Sequence, residues 1–456
     1  MEIKLFESIT SNKLLVLPIE LKQRELDTKM YIALRALALG WDVIISDLYS
    51  PVMSSIKGGT ILYKDHSVNS ETYLRHLERR GVSIFCHDEE GLIVGDPDLY
   101  ISSRISRNIL DYCKGVFVWG DFTREFFPIE YTDKIFSTGS PKFDFARDFL
   151  ANMKGDKENE KGSKRVLINT RFSFNNGIFD GSSVERLIEL GVIRNEKEYP
   201  DFLKLNDNEK IIFDEFIKLV KLLSMDFRFE VVIRPHPSER EAVWKALQVE
   251  NVKVSRDVDL REQIDWADVV IHDGCTTAIE ARFIGKLVLG LRPVLTPPAF
   301  DDFANQFSLN FTSARDIHSA LQNDLKELSE LQPDNEASYL HLISNWRSDV
   351  DSVEMMLSKM DASPPCVLRL GFHLVFNSKA IKIWLWKIVN KNSLSDWLPA
   401  RMRKSFLQWL LLKEKFPDTE ISEVDSRLKL LKKNLDSNLN TEVLELGENT
   451  WLFRSL

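Results

Sequence analysis

Phe229-Glu230-Val231-Val232-Ile233 runs directly into Arg234-Pro235-His236-Pro237. Five residues rich in β-branched and apolar side chains read as a buried strand, and two prolines end it in a loop. Outward from this stretch the patterns alternate. A long helix from about Glu209 to Leu223 precedes it, and a helix near Glu239 to Leu247 follows. Upstream lies the strand Arg165 to Ile168. Downstream come strand Val252 to Val254, helix Leu260 to Ile264, strand Asp268 to His272, helix Thr277 to Ile284 and strand Val288 to Leu291. Strands that alternate with helices predict a parallel sheet covered on both faces.

The first 145 residues repeat the theme. Lys13 to Pro18 reads as a strand and Asp27 to Leu39 as a helix with Met30, Leu34, Leu37 and Ala38 on one face. Strands follow at Asp42 to Ser46, Gly59 to Tyr63 and Val82 to Cys86, with a helix over Ser70 to Arg80. Val116 to Trp119 closes the series. Residues 151–164 (ANMKGDKENEKGSK) are polar and charged, the composition of a linker. The expected fold class is therefore α/β, with two doubly wound domains facing one another across a cleft. The expected boundaries are 1–150, a linker at 151–164, 165–360, and a mostly helical extension over 361–456. Thr441 to Phe453 looks like a hairpin around Gly447-Glu448-Asn449.

A chain of 456 residues, 44% hydrophobic, exceeds one ordinary core and suits two domains plus an extension. Its net charge of −9 argues against general nucleic-acid binding. The four cysteines are scattered without a CxxC pair, so neither a disulfide framework nor a zinc knuckle is indicated. No signal-peptide pattern and no stretch of 18 apolar residues is present, which points to a cytoplasmic location. Pro364 to Lys415 departs from the rest: ten basic residues against two acids, interleaved with Trp384, Trp386, Trp397 and Trp409. Basic, Trp-bearing amphipathic helices suit the surface of an anionic membrane, on the inner face of the cytoplasmic membrane here. Burial of the same aromatics against the first domain is the alternative.

In open α/β sheets, ligands gather beyond the carboxyl ends of the strands. Arg234 and His236 lie there, and the residue before Pro237 is held extended. A histidine so placed suits a phosphate that must be bound and protonated as it leaves. His272-Asp273-Gly274-Cys275-Thr276-Thr277 occupies the same edge one unit later. Its glycine, the hydroxyls of Thr276 and Thr277 and a helix start are parts of an anion site. Glu280 is placed for a ribose hydroxyl, or alternatively closes a capping box with Thr277. In the other half, Asp88-Glu89-Glu90-Gly91 follows a strand directly, so Glu89 or Glu90 is a candidate base, with a solvated acidic turn as the alternative. Walker, GxGxxG, HExxH and GxSxG patterns are lacking, and no metal-binding DxD stands in a strand-edge loop, so metal-independent chemistry is expected.

Seven ordered blocks then carry a resemblance over roughly Leu14 to Leu357. They are LPIELKQRELDTK (ending at Lys29), HDEEGLI (87–93), VWG (118–120), TGSPKFD (138–144), INTRFSFNN (168–176), VIRPHPSE (232–239) and HDGCTTAIEA (272–281). Together they resemble bacterial surface-carbohydrate biosynthesis proteins of the GT-B glycosyltransferase architecture, with two Rossmann-type domains. The acidic motif, the later HP and the hydroxyls are similar to bacterial sialyltransferases and Kdo transferases. Thr-Thr stands where Ser-Ser or Ser-Thr is commoner. The resemblance implies an inverting transfer of an acidic sugar from a CMP-linked donor to a glycan or glycolipid acceptor, with no cofactor beyond the co-substrate. Glu89 or Glu90 would be the base. His236 would be phosphate ligand and acid, and Arg234, His272, Gly274, Thr276, Thr277 and Glu280 would surround the donor. Arg24, Glu25 and Lys29 are acceptor-side candidates, or simply a charged helix start. The RPHP and TGSPKFD blocks also resemble teichoic-acid polyol-phosphate transferases with CDP-linked donors. A catalytically silent scaffold on a membrane complex is the third alternative.

Overall fold

The computed structural model describes residues 8–92, 97–152, 162–177, 199–256, 258, 260–294, 303–346, 350–360, 364–369, 385, 389–390, 402, 416–435 and 437–456. The chain divides into two compact units. One comprises Met1–Gly91, Pro97–Met153 and Ser338–Leu456, the other Leu92–Asp96 and Lys154–Ala337.

The first unit is built on strands β2 (Leu14–Ile19), β3 (Asp42–Asp47), β4 (Thr60–Tyr63), β5 (Ser83–His87), β6 (Gly115–Val118) and β7 (Ile135–Ser137). They run parallel in the order β3-β2-β4-β5-β6-β7. All six residues of β2 are buried, as expected for a strand covered on both faces. The helix Lys22–Ala38 begins five residues before the predicted Asp27. No side chain caps its start at Leu21. The carboxylate of Glu25 instead accepts from the amides of Glu20 (2.9 Å) and Leu21 (3.1 Å), satisfying donors that precede the first turn. β7 is a strand beyond the expected end of the series; it has three residues, only one of them fully buried, too few to show a period.

The chain rejoins this unit at Ser338 rather than continuing the second domain to residue 360. Polar chemistry explains the boundary. Asn345 accepts from Ser140 N (3.1 Å) and donates to Ser140 O (3.1 Å) and Asp144 Oδ1 (2.8 Å). Asp144, fully buried, also receives the amide of Ser352 at 2.7 Å, at the start of helix Ser352–Lys359. That helix buries Val353, Met356 and Leu357 in the core beside Met30 and Leu34. Gly120 lies flat against the backbone of His341 and Leu342, where a Cβ has no room. Asn345→Ala strands three buried partners and should cost on the order of 3 kcal/mol. Urea denaturation measures it, and an unchanged midpoint would show that this network does not hold the returning segment.

Further along, helix Ile421–Asn434 buries Val424, Leu428 and Leu431 in the same core, and Arg427 pairs with Asp27 at 2.9 Å. The predicted hairpin is present as β15 (Thr441–Gly447) and β16 (Thr450–Ser455), and β16 pairs antiparallel with β3, Trp451 opposite Ile45. A separate two-stranded sheet joins β1 (Ser8–Ser11) to β14 (Cys366–Arg369). Of the basic aromatic segment, residues 370–415 lie outside the described residues apart from 385, 389, 390 and 402, as do linker residues 153–161. Among the described residues no helix is long and apolar enough to cross a membrane.

The second unit holds β8 (Lys164–Asn169), β9 (Phe229–Arg234), β10 (Val252–Val254), β11 (Val269–His272), β12 (Leu287–Leu291) and β13 (Leu309–Phe311). All are parallel, in the order β10-β9-β8-β11-β12-β13. The helix before β9 spans Tyr199–Ser224, ten residues longer at its start than its apolar pattern indicates. Its C-terminal half buries Phe216, Leu219, Val220 and Leu223 at helical spacing, whereas Leu203 in the added part is exposed.

Candidate functional site

In each unit the strand order reverses once, and in open sheets of this kind the carboxyl edge at such a reversal is where ligands bind. In the second unit the reversal falls between β8 and β11. Thr170 and Arg171 follow β8, and Asp273 and Gly274 follow β11. Arg171 bridges the two, donating from Nη2 to Asp273 O (3.1 Å) with Nε 3.5 Å from the Asp273 carboxylate. β9, the neighbour of β8, delivers His236 to the same edge, where its side chain is exposed.

The predicted donor-side residues differ in what they are free to do. His272 is fully buried. Its Nε2 lies 2.6 Å from Ser308 Oγ, whose hydrogen goes to Ala304 O (2.9 Å), and its Nδ1 accepts from Gly274 N (2.8 Å). Burial, reinforced by Arg171 and Arg292, holds its pKa down at about 3. The imidazole therefore shapes the Gly274 turn instead of offering an atom to a ligand. Gly274 itself has φ +112°, a conformation glycine adopts readily. Arg234 points its guanidinium at Val258 O and Gln263 Oε1, both at 2.7 Å, and so braces the segment after β10.

Thr276 is the N-cap of helix Thr277–Phe283 and makes no side-chain cap bond. A helix beginning at Thr277 puts Ile279, not Glu280, at the capping-box position, so that alternative for Glu280 does not hold. The hydroxyl of Thr277 is buried against Cys275 Sγ at 3.3 Å. Glu209 is an acid that the sequence did not single out. It takes the amides of Phe174 (3.3 Å) and Asn175 (2.9 Å) in the loop after β8, and burial pushes its carboxyl up to about 7.

In the first unit the order reverses between β2 and β4, and the ion pair of Glu20 with Lys64 crosses that point. β5 ends beside β4 and opens into the acidic loop. Asp88 is buried, accepts from Tyr100 Oη (2.6 Å) and Glu90 N (3.3 Å), and thereby forms the turn. Glu89 meets Lys29, which is 3% exposed, while Glu90, 41% exposed, meets Arg104. The structure thus brings Glu25, Lys29 and Glu89 together and leaves Arg24 exposed on the first helical turn. Burial, with Glu89 nearby, pushes the Glu25 carboxyl up to about 8. Both Glu25 oxygens are already engaged by backbone amides, so its primary work is at the helix start.

Sheets ordered 2-1-3-4-5-6 and 3-2-1-4-5-6, counted from β2 and from β8, define two doubly wound units of Rossmann type. No protein-family profile matches the chain, and no curated protein does. Solved structures do show similarity of chain path. UDP-GlcNAc 2-epimerase from Neisseria meningitidis bound to UDP-GlcNAc is 13% identical, covering 76% of this chain and 98% of that one, with a TM-score of 0.45. The enzyme of the same name from Methanocaldococcus jannaschii, with UDP-GlcNAc and UDP, is 12% identical over 76% and 99%, TM-score 0.45. The wall teichoic acid polymerase TagF is 9% identical over 77% and 88%, TM-score 0.47. Any functional reading therefore rests on the residues at the two sheet edges.

Proposed function

We propose that the chain is an inverting, metal-independent glycosyltransferase of GT-B type that adds an acidic sugar to a surface polysaccharide from a CMP-activated donor, Kdo or sialic-acid-like. One observation carries the reading: His236 after β9 and the Gly274–Thr277 loop after β11 share the carboxyl edge of a sheet on either side of its reversal point, the place where such sheets take phosphates. In this reading the acceptor hydroxyl gives its proton to Glu89 and attacks the anomeric carbon. The bond from that carbon to the phosphate oxygen breaks as CMP departs. His236 and the hydroxyl of Thr276, which makes no cap bond of its own, stabilise the charge that collects on the phosphate.

Glu89 is favoured over Glu90 because its partner Lys29 stands on the helix after β2, beside the reversal point of the first sheet. Lys29 holds the carboxylate in one place, whereas Glu90 turns to Arg104 on helix Pro97–Arg104. Thermal denaturation with CMP, CDP, UMP, UDP and GDP tests the nucleotide. CMP at a hundred times its Kd should add about 2.7 kcal/mol of stability, and His236→Ala should remove most of that gain. A preference for CDP would replace this reading with a polyol-phosphate transferase, one for UDP or GDP would discard the CMP-sugar donor, and silence from all five would leave a non-catalytic scaffold.

A further inference from the structure

The loop that carries His236 is held by more than its two prolines. Pro237 occupies the second position of a β-turn closed by Glu239 N donating to His236 O at 2.8 Å. The Glu239 carboxylate, 1% exposed, folds back and accepts from His236 N at 3.0 Å. The same two oxygens receive Thr170 Oγ1 (2.7 Å), Trp244 Nε1 (3.0 Å) and Asn176 Nδ2 (3.3 Å). Four donors converge on one buried group, and they come from the end of β8, the loop after it, the turn itself and the helix Glu241–Lys245. Arg256 braces the other side, with Nε on Pro235 O (3.0 Å) and Nη2 on His236 O (2.8 Å) and Glu239 O (2.7 Å).

The ring is fixed as well as the backbone. Ser238 N donates to His236 Nδ1 at 3.2 Å, and the Ser238 hydroxyl lies 2.6 Å from that nitrogen. A neutral imidazole has one N–H and one bare nitrogen. A nitrogen that receives a backbone N–H must be the bare one, so the hydrogen sits on Nε2.

We infer that the turn His236–Glu239 is a preset hydrogen-bond donor, in which Ser238 fixes His236 as its Nε2–H tautomer and Glu239 is the positioning residue that holds the turn. The ligand class follows: Nε2–H meets an oxyanion such as a phosphate oxygen, and it cannot coordinate a metal cation without first losing that hydrogen. The inference deepens the role proposed for His236 and shares its assumption that a phosphate arrives there. The tautomer depends on the turn alone.

Long-range 15N–1H spectra of 15N-histidine-labelled protein read the tautomer directly, and His236→Gln identifies its signals among the eight histidines. The wild type should show a bare Nδ1 and a protonated Nε2. Ser238→Ala keeps the backbone donor and should keep that pattern. Glu239→Gln aims an amide NH2 at converging donors and should mix the two tautomers, while Glu239→Asp restores the wild-type form in part. An Nδ1–H form in the wild type overturns the inference, and an unchanged His236 spectrum in Glu239→Gln removes Glu239 from it. Should Glu239→Gln fail to fold, the wild-type, Ser238→Ala and Glu239→Asp spectra still decide. CMP is then titrated separately. The expected tautomer without any CMP response at Nε2 would leave the turn as inferred and sink the phosphate role.

Discussion

Glu89→Gln should lower kcat by about 10²- to 10⁴-fold, the range for losing a general base, and leave donor KM within a few fold. Glu90→Gln should stay within about tenfold of wild type, because a partner on a surface helix does not place it for proton transfer. The variant also has a stability cost that must be separated from the chemistry. Lys29 is almost completely enclosed, and removing its partner leaves a buried ammonium whose acidic neighbour Glu25 is already engaged by two amides. Breaking such a pair costs about 3–5 kcal/mol. The double variant Lys29→Met/Glu89→Gln removes both charges and should recover much of the fold without recovering turnover. Full activity in Glu89→Gln, or a larger loss in Glu90→Gln, would reassign the base.

Acid should act on the second unit through His272. In the unfolded chain this side chain takes a proton near pH 6.5, while in the fold burial holds its pKa down at about 3. Between those values the unfolded state binds the extra proton, so His272's contribution is complete above pH 6.5 and falls as pH drops. At pH 5 the loss is about 2 kcal/mol. The geometry explains the depression: a second ring hydrogen would have to sit on Nδ1, facing the Gly274 N–H. His66 and His87 in the first unit are also buried with lowered pKa values and act in the same sense.

Three carboxyls act in the opposite sense. Burial raises Glu25 to about 8 and Asp144 and Glu209 to about 7, so their contributions are lost as pH rises. The measurement is therefore a difference. His272→Asn keeps an acceptor for Gly274 N but has no titrating group. Relative to wild type it should gain about 2 kcal/mol on going from pH 7.5 to 5. Parallel urea curves for the two proteins at both pH values would refute the assignment.

Much of the fold was legible because parallel strands covered on both faces read as apolar runs. β2 and β11, buried along their whole length, were found within a residue or two for that reason, and β9, buried at alternate positions, was found from its run of Val and Ile. β7 and β13 were not, since three residues each, mostly at partial burial, are too few to carry a period. The return of the chain at Ser338 was hidden because it depends on Asn345 meeting Ser140, two residues 205 positions apart. Among site residues, RPHP and DEEG stood out as local oddities. Glu239 stood three residues after the histidine but was read only as the start of the next helix, and only the convergence of Thr170, Asn176 and Trp244 on it reveals a buried anchor. His272 erred the other way: its motif position suggested a ligand, and a serine 36 residues later takes the ring.

The pairing of β16 with β3 sets the order in which the units can be finished during synthesis. Residues 154–337, almost all of the second unit, leave the ribosome as one continuous stretch and can close their core at once. The first unit starts earlier, yet β3 lacks its outer neighbour until Trp451, Leu452 and Phe453 have emerged. Until then a nascent chain presents β3 as an open edge able to recruit other strands. Slowed translation of the codons for residues 338–450 would therefore prolong an aggregation-prone intermediate, and a stop codon before position 450 would make that state permanent.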